Sequence, residues 1–264
     1  MDPLFGLGDL GSSFCHLLRQ REQELLPRFE LEPREAGRAA PVPHATTVLA
    51  LRYQDGVVMA GDRQATEGYT VASRRIEKVY AADEHSAIAI AGAAGPCLEM
   101  VRLFQTELAH YEKLEGAGLS LEGKANRLAQ MIRANLPLAM QGLVVVPIFA
   151  GYEPRHGQGR IYKYDVAGGR YEETDYYAIG SGGQFARSSL KKLYRPDLPE
   201  ADALRVALEG LMDAADEDTA TGGPDFLRGI FPTAKLVTRE GSRDVPEARV
   251  AELCQAIATA RRSA

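Results

Sequence analysis

The sequence predicts a mixed α/β or α+β chain, on three observations. Short apolar segments bounded by turn residues fill residues 47–92, two segments of helical period follow to about residue 141, and strand-like and helix-like segments then alternate to the C terminus. With 264 residues, 45% hydrophobic and 25% charged, the chain can bury a full core. No internal repeat or second domain appears, so one domain behind a leader is expected. The net charge of −5 gives no nucleic-acid or membrane footprint, and the arginine pairs at 74–75 and 261–262 are too short for a basic patch. Cys15, Cys97 and Cys254 are widely spaced and read as reduced, structural thiols of a cytoplasmic protein.

The leader, Met1 to Ala45, has no basic start and no apolar run of secretory length, so it is not read as a signal peptide. A serine cap before Leu17, Leu18, Leu25 and Leu26 predicts an amphipathic helix from about Ser13 to Leu26, ended by Pro27. Charges, prolines, Gly37 and Ala39-Ala40 make residues 28–43 an extended, mobile link.

Thr47 to Tyr53 reads as the first strand, Asp55-Gly56 as a tight hairpin turn, and Gly56 to Arg63 as the returning strand. Ile76 to Tyr80 and Ser86 to Gly92 read as two more, with Lys78 inside the first. Gly95-Pro96 opens a helix to about Glu115, with Leu98, Val101, Leu103, Phe104 and Leu108 spaced for one buried face. Ser120 caps a second helix running to about Gln141. Leu143 to Tyr152 is an apolar strand whose Pro147 implies an edge or a bulge. Gly159 to Asp165 and Tyr176 to Gly180 are strands joined through an Ala167-Gly168-Gly169 turn. Helices follow at Gly183 to Tyr194 and Ala201 to Asp216, then a strand at Thr233 to Thr238 and a closing helix from Pro246 to about Arg261.

Chemistry enters at Thr46, where the leader meets the first strand. A threonine hydroxyl is a poor nucleophile at neutral pH and needs a base within reach, which a chain-terminal threonine carries on its own Cα. An α-amine titrates near ~7.7–8.0, so much of it is neutral at working pH, whereas the amide of an uncut chain has no such basicity. Cleavage before Thr46 would therefore be activation. From the Thr46-Thr47 pair alone, a threonine-rich strand start is the simpler reading. The hairpin adds to it by returning Asp62 beside Thr46. A lysine near the hydroxyl would lower its proton affinity, and a carboxylate would keep that lysine charged and oriented.

Thr46-Thr47, Gly61-Asp62-Arg63, Lys78-Val79 and Ile90-Ala91-Gly92 resemble, in order and spacing, the motifs of proteasome β subunits, which are N-terminal-nucleophile hydrolases. Thr221-Gly222-Gly223-Pro224-Asp225 and Arg228-Gly229-Ile230-Phe231-Pro232 resemble the actinobacterial branch most. The resemblance runs from about Thr46 to the C terminus and implies an α+β fold, a four-layer αββα sandwich of two antiparallel sheets flanked by helices. It implies a domain at residues 46–264 and a propeptide at 1–45, removed by self-cleavage between Ala45 and Thr46. Glycine is the usual residue before the threonine; alanine, the smallest alternative, is expected to allow self-cleavage at a slower rate.

The same resemblance implies roles residue by residue. Thr46 is the nucleophile, Asp62 and Lys78 set its charge environment, and the Gly92 N–H forms the oxyanion hole. Ser181 relays protons near the terminal amine, and Asp218 and Thr221 brace the nucleophile from behind, threonine replacing the more usual serine. Ala65, Ile76, Ile90, Ala94 and Leu98 would line the pocket for the residue before the cut, with Thr66 along the substrate backbone. Their apolar or small side chains imply a preference for apolar or aromatic residues. No metal or cofactor is expected, because His16, His44, His85, His110 and His156 show neither ligand spacing nor a Ser/Cys–His arrangement.

Implied partners are homo-heptameric β rings stacked in pairs, capping rings of seven α subunits, a regulatory ATPase ring, and unfolded or tagged proteins as substrates. Three rivals stand beside this reading. A catalytically silent subunit would have lost the threonine, lysine or aspartate, and this chain keeps all three. The related threonine protease of six-membered rings has almost no leader. A small-molecule amidohydrolase of the same fold would form no ring.

Overall fold

The computed structural model describes residues 46–67, 70–154 and 156–263. The helix expected at residues 13–26 and the link after it lie outside the described residues, as do Cys15, His16, His44 and Ala45.

Two five-stranded antiparallel sheets carry the architecture. The first has the order β10 (Tyr176–Gly180), β1 (Thr47–Tyr53), β2 (Gly56–Gly61), β11 (Thr233–Thr238), β12 (Gly241–Asp244). The second has the order β5 (Val79–Asp83), β6 (Ser86–Gly92), β7 (Val145–Glu153), β8 (Gln158–Tyr164), β9 (Arg170–Glu173). A small hairpin, β3 (Ala65–Glu67) and β4 (Thr70–Ser73), stands apart from both.

Strand alternation sorts side chains into three apolar layers. Leu49 and Leu51 of β1, with Val58 and Ala60 of β2, face α4 (Gly183–Leu193), α5 (Glu200–Glu217) and α6 (Glu247–Ser263). Ile88 and Ile90 of β6, with Phe149 of β7, face α1 (Ala94–Glu115) and α2 (Leu121–Ala134). Between the sheets, Val48, Ala50, Val57 and Met59 meet Ala87, Ala89, Ala91, Ile148 and Ala150. Because both faces of each sheet are buried, these strands read as continuous apolar runs rather than alternating ones. The result is the helix–sheet–sheet–helix sandwich expected, and periodicity alone could not have separated its layers.

The Thr47–Tyr53 and Gly56–Gly61 hairpin forms in the expected register, with Val48 opposite Gly61 and Tyr53 opposite Gly56. Ser120 caps α2, its hydroxyl accepting the Gly123 N–H at 3.1 Å.

Several boundaries differ from expectation. The third main strand begins at Val79 rather than Ile76, because the Ile76 N–H is spent on the Arg63 carbonyl at 3.1 Å, away from the sheet ladder. Leu98 is not on the buried face of α1: it is 39% exposed, and the face is formed by Cys97, Met100, Val101, Phe104 and Leu108. The helix after Ser120 stops at Ala134, and Leu136–Ala139 form a separate turn, α3, with Pro137 near its start. Pro147 sits in a central strand without a bulge toward β6, but the β8 ladder begins only at Ile148, so the proline stands past the end of that neighbour. The Ala167-Gly168-Gly169 turn leads into β9, a strand not anticipated, while Tyr176–Gly180 joins the other sheet.

Candidate active site

β1 starts at Thr47, so Thr46 is the last residue before the sheet, and it is 6% exposed. Its carbonyl accepts the Ser181 N–H at 2.9 Å, and its neighbour Thr47 pairs with Gly180 across the sheet. Gly180 has φ +97°, and a Cβ there would lie 1.7 Å from the Thr46 oxygen. Glycine is what lets β10 close against the start of β1.

Asp62, at the end of β2, is fully buried and accepts four hydrogen bonds. One carboxylate oxygen takes the Thr47 N–H at 2.8 Å and the Lys78 ammonium at 2.6 Å. The other takes the backbone N–H groups of Gln64 at 2.9 Å and Gly222 at 3.0 Å. Lys78, 3% exposed, also donates to the Gln64 carbonyl at 2.6 Å. Burial pushes the Lys78 pKa below its ordinary 10.5, and the Asp62 carboxylate works against that shift. The anchored carboxylate oxygen thus holds the buried Lys78 cation and the N–H of the residue after Thr46 together.

Behind β1 runs a chain of hydroxyls. The Gly182 N–H donates to Thr47 Oγ1 at 2.9 Å, and Thr47 Oγ1 lies 2.7 Å from Thr221 Oγ1. Thr221 in turn donates to Asp218 Oδ2 at 2.6 Å, which leaves the Thr47 hydroxyl as donor to Thr221. This places Asp218 and Thr221 against the residue after Thr46.

Thr47 and Gln64 were missed by sequence reasoning. Thr47 had a readable signal, since it shares the strand face of Leu49 and Leu51, and a hydroxyl in an apolar row needs a partner. The role of Gln64 is played by its backbone and left no signal.

Gly92 ends β6 with φ +134°, and a Cβ there would sit 2.0 Å from the Val144 carbonyl oxygen. Gly92→Ala is therefore expected to cost at least about 2 kcal/mol from strain and overpacking together. Denaturant unfolding checks it, and an unchanged midpoint would contradict this close approach.

The remaining expected positions are spread around this centre. Ser181 is exposed, Ala65, Thr66 and Ile76 are half-buried, and Ile90 is buried in the layer under α1. Ala94 and Leu98 stand exposed one turn apart on α1. Burial pushes the Cys97 thiol up to about 12, Lys78 opposing, and the Cys254 thiol likewise to about 12. Among the described residues no three His, Cys, Asp or Glu groups gather as a metal site, and no helix is long and apolar enough to cross a membrane.

Two antiparallel sheets face to face, with helices outside them and the first strand entered directly from a threonine, define an α+β sandwich of the N-terminal-nucleophile hydrolase type. The profile of one family, described as proteasome subunit, matches residues 42–225. A proteasome subunit beta of Acidimicrobium ferrooxidans is 56% identical over 252 residues, covering 95% of this chain and 91% of the relative. A proteasome subunit beta 2 of Thermomonospora curvata is 54% identical over 252 residues, covering 95% and 89%. A proteasome subunit beta of Acidothermus cellulolyticus is 53% identical over 255 residues, covering 95% and 87%. The chain belongs to the proteasome subunit family, in its β branch.

Proposed function

We propose that this chain is a threonine endopeptidase of a proteasome core, made as a precursor whose residues 1–45 are removed by its own Thr46. The observation that carries the reading is the buried Asp62–Lys78 pair, whose carboxylate accepts the N–H of Thr47, the residue after Thr46, and two further backbone N–H groups. Family membership supports a peptidase within a proteasome core. The stretches shared with the relatives cover 95% of the chain, more than residues 46–264 alone supply, so they extend in front of Thr46.

In processing, Thr46 Oγ attacks the Ala45 carbonyl carbon, the Ala45–Thr46 C–N bond breaks as the nitrogen takes a proton, and water opens the ester. The leader leaves as a carboxylate and the α-amine is freed. In the mature site that amine, or a water held near it by Ser181, accepts the Oγ proton while Oγ attacks a substrate carbonyl. The Lys78 ammonium favours the ionised hydroxyl, and the Gly92 N–H receives the developing oxyanion. The departing amine takes the proton, and water then hydrolyses the acyl ester. Asp218 and Thr221 act by fixing Thr47, and so the backbone that carries the nucleophile. The setting is cytoplasmic, with heptameric β rings stacked in pairs between α rings, and an ATPase ring delivering unfolded or tagged proteins.

Two measurements test this. The pH profile of kcat/KM for the mature enzyme should be bell-shaped. It should rise as the α-amine loses its proton, at or below ~8, and fall as Lys78 loses its charge, below the ordinary lysine value of 10.5. Activity that keeps rising past that point would remove Lys78 from the mechanism. A fluorogenic peptide panel should show faster cleavage after apolar or aromatic residues, given Ala65, Ile76, Ile90, Ala94 and Leu98. Faster cleavage after arginine or glutamate would refute that pocket.

A further inference from the structure

Beside Asp62, on the side of Gln64 and Gly222, opens a narrow cleft lined by Arg63, Gln64, Arg74, Gly222 and Asp225. Its walls join the end of β2 to the 222–232 segment, and two arginines, Arg63 and Arg74, line it without a carboxylate partner among the described residues. Arg63 Nε is buried and has no hydrogen-bond partner among the described residues. Among the described residues Arg74 makes one long contact, Nη1 to Gln64 Oε1 at 3.4 Å.

Several other polar groups of the cleft are already committed. The N–H groups of Gln64 and Gly222 donate to Asp62, and Gln64 Nε2 donates to the Thr219 carbonyl at 3.0 Å. The one acid in the wall, Asp225, has both oxygens occupied by Arg228: one takes its N–H at 2.9 Å and the other its Nη1 at 2.7 Å. What remains available is guanidinium. Ile230, Phe231 and Pro232 form an apolar wall that limits water and strengthens any charge pairing inside.

Buried guanidinium nitrogens left without a partner are uncommon and call for an explanation, and a planar fork of N–H donors matches a carboxylate in two-point fashion. We infer that the cleft between Arg63, Arg74 and the 222–232 segment is a binding site for an organic carboxylate. The carboxylate can be the C terminus of a peptide or an acidic side chain of another polypeptide, since both present the same group. Occupancy would be felt at Asp62, because Gln64 and Gly222 line the cleft with the same backbone that holds its outer oxygen.

Calorimetric titration of the full chain tests it with four probes: N-acetyl-leucine, N-acetyl-leucinamide, N-acetyl-aspartyl amide and inorganic phosphate. The expected result is saturable binding of at least one of the two carboxylates and none of leucinamide. The tighter of the two carboxylates identifies the source. Arg63→Gln should weaken binding about tenfold or more, and Arg74→Gln, a change at an exposed side chain, several-fold. If Arg63→Gln fails to fold, Arg74→Gln carries the test. Binding unchanged in the folded variants, equal binding of leucinamide, or binding of phosphate alone would overturn the assignment.

Discussion

Thr46→Ala is expected to abolish peptide hydrolysis, by ~10⁴-fold or more, the scale on which hydrolases lose rate when a nucleophile that works as a unit with its base is removed. The side chain is small and the residue precedes the first strand, so the melting temperature should stay close to that of the parent. Thr46→Ser keeps the hydroxyl and should keep most of the activity. Hydrolysis of a fluorogenic peptide by assembled particles reads all three chains. Thr46→Ala at parental rates would exclude this threonine as the nucleophile.

The second large effect is expected from breaking the Asp62–Lys78 pair. Asp62 collects three backbone N–H groups and an ammonium on two oxygens, with no exposure to water. In Asp62→Asn one oxygen becomes an NH₂ group that faces two donors. In Lys78→Met the carboxylate loses its counter-charge. Removing one member of a buried pair costs roughly 3–5 kcal/mol, which for a domain of this size lowers the melting temperature by roughly 6–20 °C. Activity should fall with it, since Lys78→Met removes the fixed cation and Asp62→Asn removes the carboxylate that orients it and favours its charge. The two effects separate by measuring turnover well below the melting point of the variant. Stability and turnover both unchanged in either variant would mean that the pair neither braces the site nor tunes it.

Much of this centre was legible before any coordinates. The Asp55-Gly56 turn fixes the β1–β2 register, and that register alone returns Asp62 to the start of β1. Lys78 was legible as a cation inside a strand-like stretch. Helix periods located α1 and α2, but Leu98 shows the limit of the method: apolar spacing places a residue near a face without saying whether the sheet beneath extends that far. Pro147 shows another, because a missing N–H is harmless wherever the neighbouring strand has ended, and strand ends are not written in local sequence. β9 is short, exposed and polar, so it carries no burial pattern to read. Thr47, Gln64 and the backbone of Gly222 escaped because their contributions are made by main-chain groups or by a hydroxyl that strand propensity already accounts for. The arginine cleft escaped for a different reason: Arg63 and residues 222–232 meet only once β2 and the segment before β11 lie side by side.

The most direct measurement is the intact mass of the full-length chain after mixing with its candidate α subunit. The expected result is conversion to a product that begins at Thr46, which would establish the processing site, the freed amine and the partner together. A chain that keeps its full mass in assembled particles, and keeps it again after Ala45→Gly, would contradict activation by self-cleavage.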